Sequence, residues 1–187
     1  MCGRLNVLDD PLTKAVSEQL GLLFQPEANH DLKPTEYVSS VIQHKGELSQ
    51  LNLQWGIKTN WAKRTIINAQ AESVYQKPTF KEAFEQHRVI IPCSGWYEWV
   101  SEKGRKDKYL FSAACGSAIY MAGIALDGNQ NLVTLTTEPN NQCLAFHHRM
   151  PLLIAPQNLR LWLGSDVTGA IGLLGMAWED GLIIERD

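Results

Sequence analysis

The second residue of the chain carries the most distinctive chemistry in the sequence. Cys2 is followed by Gly3, and a small second residue permits removal of the initiator methionine, so we expect the mature chain to begin at Cys2. Such a terminus holds an amine and a thiol on adjacent carbons, which together convert an aldehyde to an imine and then to a thiazolidine ring. Their ordinary pKa values, about 7.7–8.0 and about 8.5, leave useful fractions of both nucleophiles near neutral pH. The alternative is an ordinary cysteine at a frayed terminus.

A carboxylate stands among aromatic residues in the segment Trp96-Tyr97-Glu98-Trp99. On a strand, Glu98 shares a face with Trp96 and points away from Tyr97 and Trp99. Apolar surroundings raise the pKa of a carboxyl group and make it a usable general acid. The alternative is an exposed glutamate between buried aromatic residues.

Two further segments offer an amide and an imidazole. Asn68 follows two isoleucines and is either a turn residue or a functional amide. His147 and His148 stand directly before Arg149. Adjacent residues on a strand point to opposite faces, so we expect the two histidines to point apart. The amine, carboxylate, amide and imidazole together form a complete acid–base set.

The other three cysteines are most simply small buried hydrophobic residues: Cys93, Cys115 and Cys143. Their spacing contains no C-x-x-C pair and fits no standard zinc pattern. We therefore expect no disulfide, no metal and no cofactor.

Composition restricts the classes of partner. The 187 residues carry 17 Lys+Arg against 20 Asp+Glu, a formal net charge of −3, which is not that of an obvious nucleic-acid binder. Two local basic runs form either a groove or solvated loops: Lys58, Lys63 and Arg64 around Trp61, and Lys103, Arg105, Lys106 and Lys108. No apolar run reaches the ~18–20 residues of a membrane span, and no secretory signal begins the chain. We expect a cytoplasmic protein without a membrane partner, nucleoid-associated if bacterial.

Periodicity and turn residues predict the elements that position these groups. Helices are predicted from Asp10-Pro11 to Gly21, over 79–87 behind a Thr79–Glu82 capping box, and over 156–163. Strands are predicted over 37–42, 51–57, 88–92, 96–100, 108–113, 118–126, 132–136, 151–155 and 181–185, with a hairpin turn at Asp127-Gly128. This pattern predicts a single α+β domain over residues 1–187, with a curved, largely antiparallel, barrel-like β-sheet and a few short flanking helices.

The order of several motifs resembles the SOS-response-associated peptidase (SRAP) family from residue 2 to about residue 163. The matching segments are Met1-Cys2-Gly3-Arg4, Trp55-Gly56-Ile57, Trp61-Ala62, Ile67-Asn68-Ala69 with Ala71-Glu72, Lys77-Pro78, Phe80 and Phe84, Gly95-Trp96-Tyr97-Glu98-Trp99, Thr136-Thr137-Glu138-Pro139-Asn140 and His147-His148-Arg149-Met150-Pro151. The last 20 or so residues match less well.

The resemblance implies a function in DNA damage. Members of the family act on abasic sites in single-stranded DNA and link their N-terminal cysteine to the sugar as a thiazolidine. On this chain, Cys2 matches the crosslinking cysteine, Asn68 the asparagine that would hold the N-terminal backbone, and Glu98 the proton carrier. His147 matches the histidine that would assist opening of the deoxyribose or its reversal. N-terminal self-processing as a peptidase and an abasic-site lyase activity are further implied activities.

The resemblance also implies DNA contacts. Trp61 and Pro34 match positions that hold the flanking strand, and the phosphate candidates are Arg4, Arg149, Lys58 and Lys63. The alternatives are a core tryptophan and a turn proline. Gln70 stands where many relatives have arginine, so one positive charge is lost.

Two other functions remain open from the sequence. One is a cysteine peptidase that uses the Cys2 thiol with His147, and the other is a non-catalytic module that binds single-stranded DNA. We expect the chain to act as a monomer.

Overall fold

The computed structural model describes residues 2–102, 104–114, 116, 118–176 and 178–187. The strands are β1 (Leu5–Val7), β2 (Asn29–Leu32), β3 (Tyr37–His44), β4 (Glu47–Trp55), β5 (Asn68–Gln70), β6 (Arg88–Cys93), β7 (Gly95–Glu102), β8 (Arg105–Ala113), β9 (Ile119–Leu126), β10 (Asn131–Thr137), β11 (Met150–Pro151) and β12 (Leu182–Arg186). The helices are α1 (Leu12–Leu20), α2 (Pro78–Gln86), α3 (Leu159–Gly164) and α4 (Val167–Leu174), with 3-10 turns at Ala71–Ser73 and Pro156–Asn158.

The strands form two sheets, and the larger one closes into a ring. Its order is β11-β10-β4-β3-β6-β9, and β9 pairs again with β10 to complete the circuit. The second sheet has the order β12-β8-β7-β1-β2. Among the described strands, the pairings of β10 with β4 and with β5 are parallel, and the others are antiparallel. The predicted α+β fold with a curved, largely antiparallel, barrel-like sheet is confirmed.

Strand β10 is the element that brings distant segments together. Strands β4 and β5 pair with it in parallel, while β9 and β11 pair with it in the antiparallel direction. Strands β5 and β11 are therefore separated only by β10, although they are far apart in the chain.

Several predicted boundaries are confirmed by local geometry. Helix α1 ends at Gly21, which adopts a left-handed conformation with φ 70°. The turn between β9 and β10 begins at Asp127 (φ 52°) and Gly128 (φ 68°), as a hairpin with an Asp-Gly pair requires. Cys93 and Cys143 are buried free cysteines, as expected, while Cys115 lies outside the described residues. None of the described helices is long and apolar enough to span a membrane.

Other expectations are wrong in detail. The Thr79–Glu82 capping box does not form, because α2 begins one residue earlier with Pro78 in its first turn and Lys77 as its cap. The strand predicted over 151–155 is reduced to Met150–Pro151, followed by an isolated bridge at Leu153.

The sequence pattern also missed four elements: β1, β2, β5 and α4. The first three are only three or four residues long, too short for a period to be recognised. Helix α4 contains Gly169 and Gly172, which lower helix propensity. It is capped by Asp166, whose side chain accepts a hydrogen bond from the Gly169 amide at 2.8 Å.

Candidate active site

The N-terminal segment is built into the smaller sheet. Strand β1 lies between β2 and β7, with Leu5 opposite Trp96, and the Tyr97 amide donates to the Arg4 carbonyl at 3.0 Å. This pairing carries Cys2 into the interior, where it is only 1 % exposed. Cys2 is therefore not at a frayed terminus.

Asn68 holds the backbone of Cys2. Its Nδ2 donates a hydrogen bond to the Cys2 carbonyl oxygen at 2.9 Å. Asn68 opens strand β5, which pairs with β10 so that Asn68 lies opposite Thr134. The bond engages the peptide that joins Cys2 to Gly3, so it leaves the amine and the thiol untouched and does not depend on what precedes Cys2.

Glu98 enters the site from β7. Its side chain shares a face with Trp96 and is buried, with only 4 % of the residue exposed, so the prediction of its face is confirmed and the exposed alternative is wrong. On the other face, Lys108 Nζ lies 3.8 Å from the centre of the Tyr97 ring and the Arg4 guanidinium lies 5.5 Å from that of Trp99. Burial raises the pKa of the Glu98 carboxyl.

The thiol of Cys2 is protonated near neutral pH in this environment. Burial raises the pKa of Cys2 well above its ordinary value, and the nearby Glu98 and Cys93 side chains raise it further. The expectation of an ordinary thiol pKa is therefore wrong. A buried thiol beside a carboxyl group forms thiolate only by passing its proton to a neighbour.

His147 lies in the loop that joins β10 to β11. Phe146 anchors this loop, because its ring packs edge-on against Tyr109 and Phe111, with centroids 5.0 Å and 5.2 Å away. The Cys143 amide donates to the Asn140 side chain at 3.0 Å, which fixes the preceding turn. The imidazole is thereby held on a structured loop.

The imidazole of His147 is half-buried and neutral near pH 7. Burial lowers the pKa of His147, and the stacked His148 lowers it further. Its Nδ1 lies 3.0 Å from the Arg149 amide nitrogen, from which it accepts when unprotonated, and 3.1 Å from the Arg149 carbonyl oxygen, to which it donates when protonated.

The expectation that the two histidines point apart is wrong. The rings of His147 and His148 stack with centroids 4.3 Å apart, because both residues precede β11 rather than lying in it. Among the described residues, no group of three or more His, Cys, Asp or Glu side chains is arranged to hold a metal ion.

Arg149 is engaged in an ion pair beside the site. Its guanidinium donates to both carboxylate oxygens of Glu72, at 2.9 Å and 2.7 Å, and to the Thr136 carbonyl of β10. Partial burial raises the pKa of Glu72, but the hydrogen bonds from Arg149 outweigh it and lower the pKa overall.

An exposed loop between β4 and β5 carries three of the predicted DNA contacts: Lys58, Trp61 and Lys63. Trp61 is 68 % exposed, so the alternative of a core tryptophan is wrong. The base of the loop is closed by reciprocal backbone hydrogen bonds between Ile57 and Ile66, at 3.0 Å and 2.9 Å. The chain then runs directly into Asn68.

The other predicted DNA contacts lie around this centre. Arg4 pairs with Asp31 at 2.9 Å, and Gln70 is exposed at the end of β5. Pro34 lies in the turn before β3. The second basic run is a strand rather than a loop, because β8 begins at Arg105; Lys103 lies outside the described residues.

Sequence reasoning missed the residues that support the site. Thr134 hydrogen-bonds the Asn68 Oδ1 through its hydroxyl oxygen, and Glu72 holds Arg149. The available signal for Thr134 was a hydroxyl residue in an otherwise apolar segment, from Leu132 to Leu135. Its partner could not be read from the pattern.

Comparison with known families decides the classification. The profile of the family described as SOS response associated peptidase (SRAP) matches residues 1–177. The chain belongs to the SRAP family. An SRAP relative named abasic site processing protein YoqW, from Bacillus subtilis (strain 168), is 28% identical over 189 residues, covering 90% of this chain and 82% of that protein. Abasic site processing protein YedK from Escherichia coli (strain K12) is 25% identical over 152 residues, covering 78% and 68%.

Solved structures share the SRAP fold described above. A crystal structure of a protein from Bordetella bronchiseptica superposes with a TM-score of 0.81 at 19% identity and covers 100% of this chain and 99% of that one. One from Bacteroides thetaiotaomicron gives 0.76 at 19% identity, covering 99% and 91%. At these identities the likeness concerns the fold.

Proposed function

We propose that this SRAP protein acts on abasic sites in single-stranded DNA and links to them covalently through the N-terminal amine and thiol of Cys2. The observation that carries the proposal is the Asn68 hydrogen bond to the Cys2 carbonyl at 2.9 Å. It fixes the residue by its backbone and leaves both nucleophiles available. The names of the relatives, abasic site processing proteins, support the same substrate class.

The first stage forms an imine. Removal of Met1 by hydrolysis of its peptide bond frees the Cys2 amine. The open form of the abasic deoxyribose presents an aldehyde at C1′, and the amine nitrogen attacks that carbon. The carbinolamine then loses water, and a general acid must protonate the departing hydroxyl. Glu98 suits this step because its raised pKa leaves it protonated over a wider pH range than an ordinary glutamate.

The second stage closes the ring. The imine formed in the first stage still carries the remaining amine hydrogen on its nitrogen and is therefore positively charged. The Cys2 sulfur adds to its carbon, the carbon–nitrogen π electrons return to the nitrogen, and the product is a neutral thiazolidine. Because the buried thiol holds its own proton, that proton must be removed as the carbon–sulfur bond forms. The carboxylate left on Glu98 by the first stage is the adjacent base. One carboxyl group thus gives a proton in the first stage and recovers one in the second.

His147 serves the sugar rather than the cysteine in this proposal. Ring opening of the deoxyribose moves a proton from the C1′ hydroxyl to the ring oxygen. A neutral imidazole donates through one ring nitrogen and accepts through the other, so it can assist that transfer, and the lowered pKa of His147 keeps it neutral at pH 7. The same group would assist the reversal of the adduct.

The DNA strand is proposed to follow the exposed loop. Lys58 and Lys63 supply phosphate contacts, and Trp61 offers a face on which a flanking base can stack. Arg4 and Arg149 already bind carboxylates, so they contact phosphate only by exchanging those partners. The chain acts as a monomer on this substrate.

The peptidase alternative receives less support from the geometry. A cysteine peptidase needs a thiolate, and the environment of Cys2 raises the pKa of its thiol instead of lowering it. Strand cleavage by an imine that undergoes β-elimination remains within the proposed chemistry of the amine. N-terminal self-processing is proposed as the earlier step that frees the amine by removing Met1.

Three proteins test the proposal: processed wild type, a form with one extra residue before Cys2, and Cys2→Ser with a free terminus. Each is incubated with abasic and with intact single-stranded DNA and run on a denaturing gel, and with a peptide substrate in parallel. We expect a heat-stable adduct from wild type on abasic DNA alone. The extended form lacks the amine and gives none, and Cys2→Ser gives at most a transient imine.

Three results would count against the proposal. An adduct formed equally by the extended protein would exclude the amine. Peptide cleavage without an adduct would favour the peptidase. Equal affinity for abasic and intact DNA without an adduct would favour a non-catalytic binding module.

A further inference from the structure

The hydroxyl group of Thr134 lies behind Asn68, on the side away from Cys2. Thr134 is buried, 1 % exposed, in the middle of β10 and opposite Asn68 in the parallel pairing with β5. Its Oγ1 lies within hydrogen-bonding distance of the Asn68 Oδ1 and 3.0 Å from the Ile67 carbonyl oxygen. The single hydroxyl proton has two candidate acceptors.

The Ile67 carbonyl is already satisfied by other donors. It accepts a hydrogen bond from the Trp55 Nε1 at 3.1 Å and one from the Thr134 amide at 3.0 Å. A carbonyl oxygen has two lone pairs, and both are used. The Thr134 hydroxyl proton is therefore directed to the Asn68 Oδ1.

The other end of the amide is fixed by a pure acceptor. The Cys2 carbonyl can only accept, so the Asn68 Nδ2 must face it. A rotated amide would place two oxygens together at Cys2. At the other end, the Thr134 oxygen would accept from Nδ2, and its proton would be left with the Ile67 carbonyl, whose lone pairs are already used. The two hydrogen bonds thus run in one direction: the Thr134 hydroxyl donates to the Asn68 Oδ1, and the Asn68 Nδ2 donates to the Cys2 carbonyl.

We infer that Thr134 is a positioning residue of this site: its hydroxyl holds the Asn68 amide in the orientation that the Cys2 carbonyl requires, and through it the placement of the Cys2 nucleophiles. The consequence for adduct formation rests on the proposed function. The orientation itself does not.

The test pairs Thr134→Val, which keeps the shape and removes the hydroxyl, with Thr134→Ser, which keeps the hydroxyl. We expect Thr134→Val to slow adduct formation with abasic single-stranded DNA about tenfold, because the Asn68 oxygen loses its donor in a partly buried position. Thr134→Ser retains most of the rate. In an Asn68→Ala background, Thr134→Val causes no further loss, because the group through which it acts is absent.

A second measurement does not need DNA. In ¹⁵N–¹H spectra, the side-chain amide signals of Asn68 shift and exchange faster with solvent in Thr134→Val, and Thr134→Ser restores them. A wild-type rate in Thr134→Val, or an equal loss with and without Asn68, overturns the inference. If wild type itself forms no adduct, the proposed function fails, and the spectra alone decide: unchanged Asn68 signals in Thr134→Val overturn the positioning role.

Discussion

Arg88 and Glu98 are both buried ionisable side chains, but they lie in opposite kinds of surroundings. Arg88 donates to the Phe84 and Trp162 carbonyls at 2.7 Å, to that of Glu85 at 3.2 Å and to that of Ser165. These carbonyls lie at the ends of α2 and α3, where helix dipoles favour a cation. Burial lowers the pKa of Arg88, yet a guanidinium starts so high that it stays charged.

Glu98 faces a nucleophile instead of a set of backbone dipoles. Burial raises the pKa of its carboxyl, and the Cys2 thiol, whose pKa is also raised, lies nearby. A proton can therefore pass between the Glu98 carboxyl and the Cys2 thiol, because the raised pKa of each group allows it to hold that proton. A charge whose hydrogen bonds end on helix termini thus supports the fold, while a titratable group beside a nucleophile is placed to serve the proposed reaction.

The largest expected effect is that of Glu98→Gln on the reaction. The amide keeps the shape but cannot carry a proton, so adduct formation with abasic DNA should slow by about 10²–10⁴-fold while DNA binding is retained. Gel-based rates under single-turnover conditions measure the change, and Glu18→Gln on α1 serves as the control. An unchanged rate would make Glu98 as structural as Arg88.

The second prediction concerns Arg88→Met, which should lower the free energy of unfolding by about 3 kcal/mol, because buried helix-end carbonyls lose their donors. Arg88→Lys, which keeps the charge but fewer hydrogen bonds, should lose less. Denaturant titration measures both. Adduct formation by the folded protein should not change, and a slowed reaction at full folding would show that Arg88 also supports the site and not the fold alone.

The third prediction compares the two neighbouring histidines. His147→Ala should slow adduct formation or its reversal about tenfold or more, because a general acid–base group is lost. His148→Ala should have little effect on either rate, although it removes the stacking partner. Comparing forward and reverse rates for both variants checks this. A larger effect at His148 would reverse the assignment.

The pH dependence of stability separates the two buried charges without any substrate. The folded-state pKa of Glu98 is raised, so its protonation favours the folded state: that contribution is complete below the unfolded pKa of about 4.3 and is lost as pH rises through the folded pKa. Relative to Glu98→Gln, wild type should therefore lose stability as pH rises above about 4.3 and then level off. Arg88→Met should follow the wild-type pH profile, and urea titrations between pH 4 and 8 test both.

The smallest effect is expected at the exposed loop. Lys63→Ala should lower the slope of log affinity against log salt for single-stranded DNA by roughly 0.7, the value for one phosphate contact. Lys14→Ala, on the exposed face of α1, should leave the slope unchanged. Equal slopes for both variants would place the strand elsewhere on the molecule.

What the sequence could predict was governed by short-range periodicity. Alternation along β7 placed Glu98 on the face of Trp96, and the Asp-Gly pair marked a hairpin, because both depend on neighbouring residues. The contact of Asn68 with Thr134 joins residues 66 positions apart through a parallel pairing of three-residue length, for which the chain carries no local signal. The stacking of the two histidines failed for the related reason that a turn replaced the expected strand.

The closed base of the loop over residues 58–65 has a consequence for protein design. Ile57 and Ile66 are bonded to each other, and behind them Gly56, with φ 110°, leaves no room for a Cβ, which would lie 2.5 Å from the Thr65 side chain. The clasp thus holds the two ends of the loop together independently of the side chains at its tip, such as Lys58, Trp61 and Lys63. Residues at the tip can therefore be redesigned for another strand while Asn68 still begins β5 in the same place.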